Sequence, residues 1–457
     1  MKYVFITKDM RVAFSGSDGK VRVAHISKIS NLDSLLYTNR TFGNAQVLCD
    51  QYPGKSLDFG KMEINRSLNT ESCTIESLFK DNLYAIKCPH GYLRISINNK
   101  IDASAGAIND WEIFSFMSLP ELKDLWWISR HNWVEKGKNY IHNSQEIKIN
   151  YEFITIKNYN INHKNQDMFI VKRNKHNNVV SFISISHDAV INEFVLYNPL
   201  VNMVVFGSGY ILDQMQMCYN SLIDYGKFVG KTNIFTDQKH DLIMEYIGEK
   251  FFGNVKIYET VGCHRLDIMC ARMLFAYTEN IEDYQPVFYI DSDVIVDNDI
   301  NEIGKCCLIS GKISAQVEYL DTISNSPTTG SDLFARDPSH ELFKDTYGFN
   351  AGIICIPNME DFAQYIKSSM TLAKLVAGRE GREGIRGFDQ SIFNYVFAKL
   401  DIFDGTIITK SVRLPSGNDF PSPDKTERKG FVHFWPSGDR RNETMIAYSK
   451  ALKNILV

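Results

Sequence analysis

The pattern of apolar and polar positions changes twice along the 457 residues of this chain. Residues 1–118 hold short apolar runs separated by Gly, Asn, Asp and Ser, which predicts short strands joined by turns. Residues 119–199 are less regular and alternate between apolar and polar only in places. From residue 200 onward, continuous apolar runs alternate with stretches of helical period. We therefore predict three domains, at 1–118, 119–199 and 200–457.

The first region contains three stretches that echo one another, 3–36, 46–79 and 84–114. Each opens with a strand, passes through turns into a second and a third short strand, and ends on an apolar residue. Three copies of about 40 residues are the pattern of a β-trefoil, because one copy alone cannot bury its apolar face. The third copy has GYL (91–93), an alternating strand after it and the ending WEIF (111–114). With these features it resembles the fascin-like trefoil repeat. We predict an all-β, β-trefoil-like domain, with an irregular β-domain as the alternative.

The second region predicts a β-rich connector. Alternating positions indicate strands at 147–153 and 180–186. We assign no chemistry to this region.

The third region predicts an α/β domain. Apolar strands at 202–206, 233–237 and 255–259 alternate with amphipathic helices. A further helix, with its apolar face between Leu266 and Tyr277, leads into another apolar strand. Continuous apolar strands of this kind belong to a mostly parallel sheet that is covered on both faces. In such sheets ligands bind beyond the carboxyl ends of the strands.

Composition restricts the classes of function. Hydrophobic residues make up 44% of the chain and charged residues 23%, which is typical of a soluble globular protein. The 50 Lys and Arg against 54 Asp and Glu give a net charge of −4, so no nucleic-acid partner is expected. No apolar run reaches the roughly 18 residues of a transmembrane segment. The nine cysteines are scattered and odd in number, which favours reduced thiols and a cytoplasmic location.

Two carboxylates, Asp291 and Asp293, follow the apolar strand 287–290. At a strand end both can reach one divalent cation while the residue between them points away. Oxygen ligands suit Mg²⁺ or Mn²⁺, which are commonly held by one or two carboxylates together with substrate phosphates. The pattern therefore predicts a metal site, and a solvated acidic turn is the structural alternative.

Three later segments carry further candidate groups. Asn350 and Gly352 lie in the segment FNAG, where the backbone can approach a ligand closely. Asp389 and Gln390 open a predicted helix, at which Asp389 can also serve simply as a cap. His433 follows a short strand and can complete the metal site with a neutral imidazole nitrogen. Taken alone, each segment is more often structural than functional.

The order of these segments resembles that of a GT-A-fold glycosyltransferase, most closely glycosyltransferase family 8, over residues 200–442. The family pattern has a nucleotide-binding turn after the first strand, a basic residue before a DxD strand, an FN-[AS]-G strand, a helix opening with DQ and a late HF segment. The matching segments here are VVFGSGY (204–210), HRL (264–266), YIDSD (289–293), FNAG (349–352), FDQ (388–390) and VHF (432–434). The family commonly continues to a Gly and a Lys-Pro-Trp, whereas this chain reads WPSGDRR.

The resemblance implies a Rossmann-like nucleotide-diphospho-sugar transferase domain that moves a hexose, with retention, from a nucleotide sugar. A UDP-hexose is the expected donor, and the acceptor would be a glycan, a lipid-linked glycan or a protein. By the resemblance, the ligands of Mn²⁺ or Mg²⁺ would be Asp291, Asp293 and His433. The donor would be bound by Tyr210, Arg265, Asp291, Gly352, Gly438 and Arg440. The catalytic groups beside the sugars would be Asn350, Asp389 and Gln390, and whether Asp389 is a nucleophile stays open.

Three alternatives remain at this point. A nucleotide-sugar pyrophosphorylase would want a basic residue in the turn FGSGYILDQ, which has none. A non-catalytic lectin-like or adaptor protein would use the β-trefoil, although the intact candidate metal ligands argue against it. The third alternative is a toxin-like glycosyltransferase that modifies protein. The sequence motifs do not distinguish it from an enzyme of polysaccharide biosynthesis. In the main interpretation residues 1–118 position the acceptor, and a purely structural role is the alternative.

Overall fold

In the computed structural model the chain forms two compact units. The first comprises residues 1–173 and 177–196, and the second comprises residues 174–176 and 197–457. The structure describes residues 2–7, 11–39, 43–53, 55–58, 61–64, 73–78, 83–96, 98–109, 112–140, 156–159, 166–185, 190–248, 254–261, 265–335, 337, 340–381, 385–415, 423 and 427–455. No helix within these ranges is long and apolar enough to cross a membrane.

The first part of unit 1 is built from short antiparallel strands, as the alternation of apolar and polar residues predicts. They are β1 (Tyr3–Ile6), β2 (Arg11–Ser15), β3 (Val21–His25), β4 (Leu36–Thr38), β5 (Gly43–Ala45), β6 (Val47–Cys49), β7 (Leu57–Asp58), β8 (Glu63–Ile64), β9 (Cys73–Ser77), β10 (Leu83–Cys88), β11 (Gly91–Ile95), β12 (Ile101–Ala105) and β13 (Phe114–Ser118). An eleven-stranded sheet has the order β12-β11-β10-β13-β1-β2-β3, with β4, β5, β6 and β9 attached. The last strand, β13, pairs with the first, so both ends of this segment lie in one sheet.

Unit 1 also contains a helix that the periodicity did not predict, α1 (Leu119–Arg130). It begins at a capping box, in which Ser118 Oγ accepts from the Glu121 backbone N–H and the Glu121 carboxylate accepts from the Ser118 backbone N–H. The sequence signal was therefore present, as S-x-x-E immediately after an apolar strand. α1 is the first element of the region that we predicted to be β-rich throughout.

A five-stranded antiparallel sheet follows α1, in the order β14-β18-β17-β16-β15. Its strands are β14 (Asn132–Tyr140), β15 (Ile156–Tyr159), β16 (Gln166–Arg173), β17 (Val179–Ile185) and β18 (Val190–Tyr197). The strand predicted at 180–186 is confirmed as β17, and the strand predicted at 147–153 lies outside the described residues.

Unit 2 is an α/β structure with a six-stranded main sheet and a smaller three-stranded sheet. The strands of both sheets are β19 (Leu200–Val205), β20 (Lys231–Thr236), β21 (Val255–Glu259), β22 (Val287–Ile290), β23 (Val294–Val296), β24 (Ser314–Thr322), β25 (Tyr347–Ile356), β26 (Val412–Arg413) and β27 (Phe431–His433). Its helices are α2 (Tyr210–Asp224), α3 (His240–Ile247), α4 (Arg265–Cys270), α5 (Asn301–Ser310), α6 (Ser331–Phe334), α7 (His340–Phe343), α8 (Met359–Glu380), α9 (Phe388–Lys399), α10 (Thr406–Ser411) and α11 (Arg441–Ile455).

The main sheet of unit 2 has the order β21-β20-β19-β22-β25-β24. β19 to β22 run parallel, and β24 and β25 form an antiparallel extension beside β22. A second, three-stranded sheet has the order β23-β27-β26. In the main sheet β24 therefore runs in the same direction as β22, and β25 is the one strand of these six that runs the other way. The predicted mostly parallel sheet is confirmed, while the insertion of the antiparallel strand β25 was not foreseen.

Burial on both faces explains why the strands of unit 2 read as continuous apolar runs. In β22, Val287 and Tyr289 belong to one hydrophobic cluster, and Phe288 and Ile290 belong to another on the opposite face. The predicted helix between Leu266 and Tyr277 is shorter than expected. α4 ends at Cys270, and a 3₁₀-helix follows over Ala271–Tyr277.

Candidate active site

Two elements that are far apart in sequence meet just beyond β22. The Asp291 N–H donates to the Gly352 carbonyl across the β22–β25 pair, at 2.8 Å. After Asp293 the chain continues as β23, which pairs antiparallel with β27 so that Val294 lies opposite His433. The second sheet thus brings the late histidine to the two aspartates that leave the main sheet.

Asp291, Asp293 and His433 form a compact group that could hold a metal ion. Their candidate ligand atoms lie within 4.8 Å of one another. His433 Nε2 is 3.2 Å from Asp293 Oδ1, but outside hydrogen-bond geometry, and neither ring nitrogen has a hydrogen-bond partner among the described residues. Because His433 is only 2% exposed, its nitrogens are shielded from water, and neither makes a hydrogen bond within the described residues although Nε2 lies within ion-pair distance of Asp293. Such burial is costly. A bound cation would remove that cost, so the residues fit a metal site.

Gly352 makes room for the imidazole of His433. A Cβ atom at position 352 would lie 2.3 Å from His433 Cε1 and 2.9 Å from His433 Nε2, far inside van der Waals contact. The glycine of the FNAG segment is thus explained by close packing on His433. This contact places the predicted donor-binding glycine beside the candidate metal ligands.

Arg272 connects two of the predicted carboxylates. Its Nε lies 2.7 Å from Asp389 Oδ2, and its Nη2 lies 3.3 Å from Asp291 Oδ1. Its Nη1 also donates to the Ala351 carbonyl at 3.1 Å. Arg265, the basic donor-binding residue that the resemblance implies, begins α4, and its side chain lies outside the described part of the chain. Arg272 was missed, although a lone arginine inside the apolar run IMCARMLFAY indicates a buried, paired charge.

The environments of the three aspartates move their pKa values apart. Burial raises the pKa of Asp291, against the opposing charge of Arg272. Burial also acts to raise the pKa of Asp293, but the charges of His433 and Arg441 outweigh it and the pKa falls below the usual value. Burial raises the pKa of Asp389 to about 6, although Arg272 opposes the change. Such divergence among neighbouring acids is common at functional sites and also occurs in structural ion-pair networks.

Asn350 and Gln390 share a partner that the sequence analysis did not single out, Glu318 on β24. Asn350 Nδ2 donates to Glu318 Oε1 at 3.1 Å, and Gln390 Nε2 donates to Glu318 Oε2 at 3.3 Å. Gln390 Oε1 also accepts from the Ala351 N–H at 3.2 Å. No motif in the sequence marks Glu318, because its significance arises only from the pairing of β24 with β25.

The remaining residues that we predicted to bind the donor are Tyr210, Gly438 and Arg440. Tyr210 is the first residue of α2 and is 61% exposed. Gly438 and Arg440 lie in the 3₁₀-helix Trp435–Arg440, and the exposed Arg440 side chain is 3.9 Å from Glu443. The next residue, Arg441, is the one that reaches the candidate metal ligands, with Nη1 2.9 Å from Asp293 Oδ2. The segment WPSGDRR thus supplies an arginine to the site, one position beyond the residue that we selected.

A cavity of about 380 Å³ opens at the carboxyl edge of the main sheet of unit 2. Its walls include Phe206 after β19 and Thr260 and Val261 after β21. Cys270 and Ala271, the two residues before Arg272, also line it. The cavity therefore lies where ligands are expected in open α/β sheets, and Cys270 and Ala271 in its wall directly precede Arg272 in the chain.

The chain matches no protein-family model and no curated protein. Its structure is similar to several solved glycosyltransferases over part of its length. They include the galactosyltransferase LgtC in complex with donor and acceptor sugar analogs (11% identity, TM-score 0.40, 56% of this chain and 95% of that one), mouse xyloside xylosyltransferase 1 in its apo form (12%, 0.36, 52% and 97%) and the glycosyltransferase GlyE in Streptococcus pneumoniae TIGR4 (17%, 0.37, 57% and 63%).

Proposed function

We propose that unit 2 is a metal-dependent glycosyltransferase of the GT-A type, similar to glycosyltransferase family 8. It would transfer a hexose, with retention, from a nucleotide sugar, UDP-linked in the first instance, to a glycan, a lipid-linked glycan or a protein. The observation that carries the proposal is the convergence of Asp291, Asp293 and His433 at the carboxyl edge of a mostly parallel sheet. We further propose a role in polysaccharide biosynthesis and a cytoplasmic location.

The three ligands would hold Mn²⁺ or Mg²⁺. Two carboxylates suit either ion, and an imidazole nitrogen adds a ligand that transition metals accept more readily than Mg²⁺ does, which favours Mn²⁺. When bound, the cation would neutralise the charge that develops on the departing nucleoside diphosphate. Arg441, whose side chain is half-buried beside Asp293, is placed to add hydrogen bonds to the same phosphates.

The donor nucleotide would lie along the carboxyl edge of the sheet. The cavity lined by Phe206 and Thr260 has the size for a base and ribose, and the exposed ring of Tyr210 is available for stacking on a base. Arg265, Gly438 and Arg440 remain proposed donor-binding residues on the strength of the resemblance alone. Of the basic residues near the phosphates, Arg441 has the stronger geometric case.

The sugar would lie between the metal ligands and the Asn350–Gln390 pair. Asp389 is 1% exposed and forms a close ion pair with Arg272, which favours a positioning role over a nucleophilic one. Through Arg272, Asp389 would fix the orientation of Asp291 and of the Ala351 carbonyl. Asn350 and Gln390 are then the proposed residues that contact the sugar directly.

For unit 1 we propose a β-trefoil-like fold for residues 1–118, joined through 119–199 to a transferase domain at 200–457. The pairing of β13 with β1, which brings both ends of the first segment into one sheet, supports the proposed β-domain. Its proposed role is to recruit the acceptor.

The direct test of the proposed function is release of nucleoside diphosphate from a panel of donors. UDP-glucose, UDP-galactose, UDP-N-acetylglucosamine and GDP-mannose would each be incubated with the purified protein and Mn²⁺, Mg²⁺ or a chelator. We expect turnover of at least one UDP-sugar that the chelator abolishes and added Mn²⁺ restores. Turnover that is insensitive to the chelator would remove the metal from the mechanism, and no turnover of any donor would count against a transferase.

A further inference from the structure

The pairing between β24 and β25 is irregular where it passes the site. The register runs from Ala315 opposite Ile354 directly to Gln316 opposite Asn350, so residues 351–353 have no opposite residue on β24. Bulges of this kind free backbone groups and redirect side chains next to functional sites. Here the freed groups include the N–H of Ala351 and the N–H of Gly352.

These two backbone donors fix the orientation of two side-chain amides. The Gly352 N–H donates to Asn350 Oδ1 at 2.8 Å, and the Ala351 N–H donates to Gln390 Oε1 at 3.2 Å. Because a backbone N–H can only donate, each amide must present its oxygen to β25 and its NH₂ group elsewhere. Both NH₂ groups then point to one carboxylate, that of Glu318, and each contacts a different oxygen atom.

Glu318 differs from the other carboxylates of the site in its partners. Asp291 and Asp389 share Arg272, and Asp293 is paired with Arg441. No lysine or arginine of the described chain forms an ion pair with Glu318. It is partly exposed, and burial raises its pKa. A carboxylate offers about four acceptor positions, and the two amides occupy one on each oxygen, so further positions remain for a ligand.

We propose that Glu318 is a sugar-binding residue of the active site, whose carboxylate accepts hydrogen bonds from hydroxyl groups of the donor sugar or of the acceptor. The inference rests on the proposed function and deepens it, since it names the group that reads the sugar. Hydroxyl groups are donors that a carboxylate binds strongly, and the paired amides hold both oxygens in a fixed plane. Glu318 would therefore select among sugars by the position of their hydroxyls.

The test couples a variant to the loss of a single substrate hydroxyl. Wild type and Glu318→Gln would be assayed with UDP-glucose and UDP-galactose, with their monodeoxy analogues, and with a monodeoxy series of whichever acceptor supports transfer. For the hydroxyl that Glu318 binds, removing it should lower kcat/KM of the wild type about 10- to 100-fold. In Glu318→Gln the same removal should have a clearly smaller effect, because the amide oxygen offers a neutral hydrogen bond in place of the charge-assisted one. If the effect of Glu318→Gln is coupled to a hydroxyl of the donor, Glu318 binds the donor sugar. If it is coupled to a hydroxyl of the acceptor, Glu318 binds the acceptor.

Additive losses at every hydroxyl of both series would overturn the inference and leave Glu318 with only a structural role in holding the amides. Glu318→Asp, which keeps the charge and shortens the side chain, replaces Glu318→Gln in the same cycle if the latter does not fold. Glu302→Gln, at an exposed glutamate of α5 that is 72% accessible, is the matched control and should show the wild-type pattern. If wild type turns over no nucleotide sugar at all, the proposed function fails and this inference falls with it.

Discussion

At the scale of single residues, Asp293 is the candidate metal ligand that is paired with both a histidine and an arginine. Its carboxylate lies beside the imidazole of His433 and the guanidinium of Arg441, and it is 7% exposed. Asp293→Asn preserves the shape and removes the charge that a cation needs. We expect nucleoside diphosphate release to fall at least about 100-fold, while the free energy of unfolding changes by less than about 2 kcal/mol. Steady-state assays and urea denaturation of the same preparation measure both. An unfolded variant would point to a structural carboxylate.

The two arginines of WPSGDRR allow a matched comparison. Arg441 reaches Asp293, whereas Arg440 is exposed and lies near Glu443. Arg441→Met should raise the KM for the nucleotide sugar about tenfold or more, because the proposed charged hydrogen bond to phosphate would be lost. Arg440→Met should change it by less than about threefold, as a surface charge. An equal or larger effect of Arg440→Met would restore the assignment made from the sequence.

Some side chains of the site could be predicted from short sequence segments, and others could not. Asp291, Asp293 and His433 could be grouped from the sequence, because each follows a short apolar strand within a recognisable order of segments. Arg272 and Glu318 were missed because neither belongs to such a segment. The role of Arg272 depends on a buried contact with Asp389, and that of Glu318 depends on the register between two strands. Such contacts arise from tertiary packing, which a single sequence does not display.

At the scale of elements, Gly352 lies in the irregular part of β25, where its lack of a side chain lets the strand pack closely on His433. Gly352→Ala would place a methyl group 2.3 Å from His433 Cε1, so the imidazole or the strand must move. We expect a loss of about 1–3 kcal/mol in the free energy of unfolding and a weaker metal affinity, because His433 is displaced from Asp293. Denaturation curves and Mn²⁺ titration measure the two effects.

Gly378, on an exposed part of α8, is the control for that substitution. A Cβ atom there meets nothing within 4 Å, so Gly378→Ala should stabilise the protein by about 0.5–1 kcal/mol and leave Mn²⁺ binding unchanged. A Gly352→Ala protein that binds Mn²⁺ as tightly as the Gly378→Ala protein would contradict the packing argument.

The elements themselves were predictable to different degrees. β19, β20 and β21 appear within two residues of the predicted strands, because strands buried on both faces read as unbroken apolar runs. The segment from Leu266 to Tyr277 was predicted as one helix, but it changes to a 3₁₀-helix after Cys270. Apolar spacing near 3.6 residues does not separate these two helix types over so short a stretch.

At the scale of the whole molecule, the described chemistry lies in unit 2, and unit 1 is the proposed acceptor module. A protein that begins at residue 197 removes unit 1, including α1 and the five-stranded sheet that belong to the same compact unit as the first strands, together with residues 174–176 of unit 2. We expect it to hydrolyse the donor like the full chain but to transfer poorly to a long glycan, since the local acceptor concentration falls. Unchanged transfer to that glycan would leave unit 1 with a purely structural role.

The overall architecture was predictable because the hydrophobic period changes from one region to the next. The alternation of strands and helices after residue 200 indicates a parallel sheet, and β19 to β22 have that arrangement. The insertion of the antiparallel strand β25 between β22 and β24 was not predictable, since the apolar period of β25 does not show which strands become its neighbours. That insertion brings Asn350 and Glu318 together, so the least predictable part of the sheet builds part of the site.

The most direct test of the central claim is a Mn²⁺ titration of the full chain in the presence of UDP, followed by the electron paramagnetic resonance signal of free Mn²⁺. The account predicts one bound ion per wild-type chain. It also predicts that Asp293→Asn weakens binding at least about tenfold, because a ligand is lost from the group formed with Asp291 and His433. Mn²⁺ binding that is the same in wild type and Asp293→Asn, or no binding to wild type with UDP present, would contradict it.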